Sequence, residues 1–202
     1  MSQSFIFIFQ LVVLLFSIVI HEVSHGAMAK ELGDDTAEKL KRLTLNPLAH
    51  LDFFGSFLLP LLLYVSSGGS FIFGWAKPVP YNPLKLRNPR RDSALLAFAG
   101  PMANLLLALF FGVILRFNLL PTTVIPFIAI IIAINIKLAI FNLAPIPPLD
   151  GSKILLYFFP SPKLEIFLLQ YSYFLLIFFL LFGWSFTQPL ISLIFYLFTG
   201  LR

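Results

Sequence analysis

The chain has 202 residues, of which 59% are hydrophobic and 11% charged, and its mean hydropathy is +0.94. A soluble domain carries about 25% charged residues, so much of this surface faces lipid, and the 25 phenylalanines suit that exterior. The absence of cysteine excludes disulfides, thiolate metal sites and thiol nucleophiles, while the net charge of +5 reads as membrane topology rather than as nucleic-acid binding.

A membrane span needs about 20 apolar residues, and residues 4–29 supply the first. It has no basic leader and no small-residue cleavage site, so it reads as a retained span. Near its end stand His21, Glu22 and His25, in "SIVIHEVSHGAMAK" (residues 17–30). On a helix, residues four apart share a face, so His21 and His25 can offer imidazoles to one metal. Glu22, rotated about 100° around the helix, stands beside that metal without ligating it. Two histidines and a carboxylate in this order are the arrangement of a zinc hydrolase, in which the carboxylate takes a proton from water. The bland reading, a chance pattern on a solvated helix, is disfavoured in lipid, where ionisable side chains are costly and usually functional.

A polar stretch from Lys30 to Arg42 follows, with Glu31, Asp34, Asp35 and Glu38 read as a solvated loop. Residues 46–76 are apolar but broken by Pro60 and by Gly68-Gly69. A second basic stretch holds Lys77, Lys85, Arg87, Arg90 and Arg91. Positive residues mark the cytoplasmic side, so residues 46–76 cross zero or two times, and a re-entrant hairpin fits their Pro and Gly content. Spans are expected at 93–116, 123–144 and 164–182, with a short last one at 190–201 beyond Trp184 and Gln188-Pro189. That count puts the N-terminus outside, the C-terminus inside, and the end of the first helix toward the cytoplasm. Lys137, inside the span at 123–144, is read as snorkelling or paired. The prolines of "APIPPLDGSK" (144–153) bar a regular helix throughout.

A catalytic zinc takes three protein ligands and keeps one open position. Asp92 adjoins Arg90 and Arg91, and an ion pair explains it. Glu165 sits at a helix start, where an acid is favoured. His50, Asp52 and Asp150 remain candidates for the third ligand, and the bland reading of Asp150 is a helix cap.

"HEVSH" together with "FNLAPIPPLDGSKIL" resembles the site-2 proteases, intramembrane zinc metalloproteases whose second motif is N-x-x-P-x-x-x-x-D-G. Asn142, Pro145, Asp150 and Gly151 match it. "LTLNPLAHLDFFGSFLLP", "GWAKPVPYNP" and "AGPMANLLLA" look like the short bacterial branch, without a PDZ insert or nucleotide-binding appendage. The likeness covers about residues 5–160, leaving helices at about 164–201 in a single domain of residues 1–202. The resemblance implies an all-α polytopic membrane protein with five to six transmembrane helices and a re-entrant hairpin or short β-loop near the site. It implies one Zn2+ held by His21, His25 and Asp150, Glu22 as general base, and Asn142 and Asn104 at the substrate or oxyanion. The implied reaction is peptide hydrolysis within or near transmembrane segments, at a site toward the cytoplasmic side of the cell membrane. The implied partners are a transmembrane protein substrate and the lipid bilayer, with no nucleic acid. Two other classes compete. A metal transporter would need a second metal-binding helix, and no other span carries a histidine cluster. A protease-like binding protein without activity would have no need of Glu22.

Overall fold

The computed structural model describes residues 2–66, 77–117 and 119–201. The first apolar run folds as α1 (Gln3–Glu31), capped by the Ser2 hydroxyl, which accepts from the Phe5 amide. The helix stops at Gly33, whose φ of +107° is a left-handed conformation that favours glycine. A single turn, α2 (Thr36–Lys39), follows.

The acidic run here is not all solvated. Asp34 is buried and accepts from the Thr36 amide and hydroxyl and from the Asn82 amide, tying this turn to the chain before the next long helix. Asp35 pairs with Lys39 and Lys85, and Glu38 with Lys30.

From Pro47 the chain forms a 3-10 turn, a π-helical turn at Phe53–Leu58 and the short helix α3 (Leu59–Ser66). Part of the expected hairpin, residues 67–76, lies outside the described residues. The Lys77 amide donates to the His50 carbonyl at 2.8 Å, so the two ends of the segment meet at one end of the bundle. A single crossing cannot bring its ends together. Of the expected β-loop, the described residues 77–80 carry neither helix nor strand.

α4 (Pro89–Arg116) starts at Asn88, whose side chain accepts from the Arg91 amide. Asp92, read from sequence as an ion pair with its arginines, is instead buried and accepts from the Asn88 amide at 2.7 Å. Along one face α4 carries Ala97, Gly100, Pro101, Asn104, Ala108 and Gly112, all buried. Small residues at this spacing let helix backbones approach closely in lipid. α1 and α5 (Ile125–Asn142) pack on this stripe near Ala97–Asn104, and α9 (Trp184–Thr199) packs on it near Gly112. Ala108, Leu115, Ile132, Ile136 and Ile191 form the apolar core of that second contact. α1 and α5 run parallel, with the Phe127 ring edge-on to Phe5 and Phe9 at centroid distances of 6.0 and 5.1 Å.

After the proline-rich turn come α6 (Gly151–Phe158), α7 (Pro162–Gln170) and α8 (Ser172–Phe178). α8 runs through a π-helical turn at Phe179–Gly183 directly into α9. Where two terminal spans are expected from sequence, one apolar segment runs from Ser172 to Thr199. Pro189 removes one helix donor but does not end the helix. Among the described residues, four segments are thus long and apolar enough to cross a membrane. This moves the C-terminus. Arg116, at the end of α4, donates to the Leu197 carbonyl at 2.7 Å, so residues 197–201 lie at the end of the bundle opposite the basic stretches. The expected placement of the C-terminal residues with those stretches is corrected by this bond, which sets them at the other end.

Candidate metal centre

His21 and His25 project from one face of α1, their rings edge-to-face at 4.6 Å. Asp150 reaches them from the turn between α5 and α6. Its Oδ2 lies 3.1 Å from Nε2 of each histidine, and all three side chains are buried. The three ligand atoms lie within 4.8 Å of one another, the only such group among the described residues. Asp150 opens α6, yet its side chain makes no capping bond. It is turned inward, and Lys153 Nζ stands 3.9 Å from its other oxygen. Gly151 is needed for this turn, because a Cβ there would strike the backbone carbonyls of Leu143 and Ala144.

The opposite nitrogens of the rings decide what the centre can hold. His25 Nδ1 lies 2.7 Å from the Leu96 carbonyl, and His21 Nδ1 lies 2.7 Å from Asn104 Oδ1. Both partners are acceptors, so each Nδ1 carries its proton, and a neutral ring turns an Nε2 lone pair toward Asp150. Two lone pairs and a carboxylate oxygen converging in a buried site repel one another unless a cation stands among them. Two imidazoles and one carboxylate, each imidazole oriented by an oxygen behind it, form a donor set that fits zinc with a position left open for water. Gly100 of α4 makes room: a Cβ there would come within 2.6 Å of the His25 ring and 2.7 Å of the His21 ring.

Glu22 is half-buried next to this group and accepts from the Val79 amide at 2.9 Å. Residues 77–79 are held there by Arg42, which donates to the carbonyls of Lys77 and Pro78. Gly26, one turn beyond Glu22, lies against Val79 and Leu43. Asn142, at the end of α5, donates to Leu138 of its own helix at 3.0 Å and makes no bond to the group of three. Asn104, expected near the substrate, stands behind His21, fully buried. Its amide nitrogen donates to the Ser17 carbonyl at 3.1 Å and to Asn135 Oδ1 at 2.8 Å, which leaves it no donor for an oxyanion.

The other candidates lie apart from the group. His50 is buried and bonded through Nε2 to the Thr44 carbonyl at 2.8 Å, and Asp52 accepts from the Gly55 amide at 2.7 Å. Lys137 is exposed on α5 beside a lateral groove lined by Leu14, Ile134 and Trp184, and it makes no ion pair among the described residues. Sequence reasoning passed over Asn135, Gly100 and Lys153. Asn135 had a signal, since an amide in the apolar run "IAIIIAINIK" has to find a partner.

The profile of peptidase family M50 matches residues 9–121 and 118–182. YwhC of Bacillus subtilis is 40% identical over 153 residues, covering 71% of this chain and 66% of the relative. Rip2 of Mycolicibacterium smegmatis is 31% identical, covering 73% and 57%, and MJ0611 of Methanocaldococcus jannaschii is 29% identical, covering 74% and 70%. All three carry provisional names as zinc metalloproteases. The chain spans 66% and 57% of the lengths of the first two, less than two thirds of each. No solved structure matches it.

Proposed function

The chain belongs to peptidase family M50, the site-2 protease family, and from that premise we propose that it is a zinc-dependent endopeptidase cutting peptide bonds within or near transmembrane segments. The observation that carries the reading is the convergence of His21 Nε2, His25 Nε2 and Asp150 Oδ2 beside the carboxylate of Glu22.

In this reading His21, His25 and Asp150 hold one Zn2+. Held there, zinc would supply a water made nucleophilic at neutral pH and a Lewis acid for the substrate carbonyl. Glu22 takes the water's proton and later delivers it to the leaving amine. Its bond from Val79 engages one oxygen and leaves the other free for that proton. Asn142 receives the substrate backbone once its own-helix bond is exchanged. Residues 77–80 contribute little as a pairing edge. Pro78 and Pro80 have no N–H, and the Val79 amide is engaged by Glu22, so this stretch offers a substrate carbonyls only. The substrate is a transmembrane helix that unwinds at the site, because an intact helix holds its carbonyls in i to i−4 bonds. In this reading the centre lies toward the cytoplasmic side, an orientation supported by the basic stretches at the same end of the bundle. The transporter reading lacks support: the third histidine, His50, is bonded elsewhere, and no second ligand group is present among the described residues.

The test uses the purified chain in liposomes, with a model transmembrane peptide carrying a fluorophore and a quencher on either side of a Gly-Pro segment. Zinc-dependent cleavage that is lost in Glu22→Gln is expected. Cleavage that persists in Glu22→Gln, or that ignores zinc removal, would sink the reading.

A further inference from the structure

Asn135 lies on α5, away from both histidines, and is fully buried in a helix whose other polar side chains are the exposed Lys137 and the terminal Asn142. Its amide nitrogen donates to the Ile131 carbonyl at 2.9 Å. That bond fixes the orientation of the amide, because the flipped form would put its oxygen against a carbonyl and its nitrogen against another amide's nitrogen. Oδ1 therefore faces Asn104 and accepts from Asn104 Nδ2 at 2.8 Å. Asn104 Nδ2 also donates to Ser17, so Asn104 is fixed in turn, with its oxygen 2.7 Å from His21 Nδ1. The polarity runs one way through four groups on three helices: Ile131 carbonyl, Asn135, Asn104, His21.

Resting on the metalloprotease reading, we propose that Asn135 is a positioning residue that sets the tautomer of His21 through Asn104. With Asn104 Oδ1 toward it, His21 keeps its proton on Nδ1 and presents a bare Nε2 to the metal. If Asn104 turned over, its NH2 would face Nδ1, which would then have to accept. The proton would move to Nε2, where it would point at Asp150 Oδ2 and occupy the metal's place. The Ser17 carbonyl and Asn135 Oδ1 are the two acceptors that oppose this turn, and Asn135 is the one a side-chain substitution can remove. His25 needs no such relay, since its Nδ1 is held by the backbone carbonyl of Leu96. The two imidazoles are thus set by different means, and only one of them depends on α5. An amide pair buried in lipid is costly to leave unsatisfied, which accounts for its full engagement.

The chain contains three histidines, so 15N-labelled histidine gives a spectrum of three rings in the zinc-loaded protein in detergent micelles. Asn135→Leu should reduce the His21 Nδ1–H signal in favour of the Nε2–H form and leave the Nδ1–H signal of His25 unchanged. Zinc affinity, measured by competition with a chelating dye, should fall by about tenfold, the lower end of the range for groups behind a ligand. In an Asn104→Ala background, Asn135→Leu should cause no further loss, because the path runs through Asn104. A purely structural role would make the two losses add and would leave the tautomer alone. Asn135→Ala repeats both measurements should the leucine variant fold poorly. If either folded variant keeps both the wild-type His21 tautomer and the wild-type zinc affinity, the inference is overturned. Absence of zinc binding in the wild type would instead overturn the metalloprotease reading, so the two failures are distinguishable.

Discussion

The Val79 amide donates to Glu22 Oε2 at 2.9 Å, joining the glutamate beside the metal-ligand group to a segment that lies 57 positions away in the chain. Glu22→Gln keeps an oxygen to accept this bond and loses only the capacity to take a proton. Cleavage should fall on the order of 10²- to 10⁴-fold, the usual cost of losing a general base. Bound zinc, counted by elemental analysis, should stay at one per chain. Val79→Pro removes the donor and should lower turnover with zinc retained. Full turnover in the glutamine variant would remove Glu22 from the mechanism.

The ligand set makes a separate claim. His21→Ala, His25→Ala and Asp150→Ala should each lose stoichiometric zinc after purification without chelator. His50→Ala and Asp52→Asn should keep it, since His50 bonds Thr44 and Asp52 bonds Gly55. Wild-type zinc content in Asp150→Ala, together with loss in either control, would reassign the third ligand.

Gly100 tests the packing of the centre without touching a donor atom. The added methyl of Gly100→Ala meets both imidazoles closer than van der Waals contact allows, and α4 cannot retreat without opening its contacts with α1 and α5. Zinc affinity should drop at least tenfold while the far-ultraviolet circular dichroism of the helices persists. Unchanged affinity would mean that the rings have room the geometry denies them.

How much of this was legible in the sequence depends on the range of each signal. His21, Glu22 and His25 could be read because a helix converts spacing into a shared face. Asp150 could not be placed by spacing, since a proline-rich turn sets its direction; the motif resemblance was needed. The relay through Asn104 and Asn135 was invisible because it depends on three helices meeting in one register. Asn135 offered only the general hint of an amide in an apolar run. The fusion of the last two expected spans escaped for a local reason: Trp184 and Pro189 read as a boundary, but a helix in lipid can lose one donor and continue. Asp34 was misread for another, since a run of acids looks solvated until its partners across the loop are known.

Asp34 also gives a pH dependence. Burial alone would raise its carboxyl, but bonds from the Thr36 hydroxyl, the Asn82 and Thr36 amides and the nearby Lys85 outweigh that and hold it below the ordinary 3.8. A carboxylate with a depressed folded value stabilises fully above its unfolded value and loses that contribution as pH falls through the folded one. Asp34→Asn should therefore lower the melting temperature in detergent at pH 7 by a few degrees, on the scale of about 1–3 kcal/mol for a buried charged bond. The gap between wild type and variant should narrow below about pH 4. A gap of constant size across that range would show that the charge of Asp34 contributes nothing.

The last prediction concerns which way the chain sits in the membrane. Lys39 and Lys85 both pair with Asp35, so they stand at one end of the bundle, together with Arg87, Arg90 and Arg91. Positive charge so concentrated predicts that this end faces the cytoplasm. The segment between the two lysines returns to its start through the bond from Lys77 to His50, so it adds no net crossing. With that end in the cytoplasm, α4 would lead away from it, α5 back and Ser172–Thr199 away again, so that Leu201 would lie on the far side, near Arg116. The chain has no native cysteine to confuse the experiment. Lys39→Cys and Lys85→Cys should react with a membrane-impermeant maleimide only in inside-out vesicles, and Leu201→Cys only in intact cells with an opened outer layer. Labelling of Lys39→Cys and Lys85→Cys from opposite sides would break the re-entrant hairpin. Labelling of Leu201→Cys from the cytoplasm would restore the second terminal crossing that the sequence suggested and the fold removes.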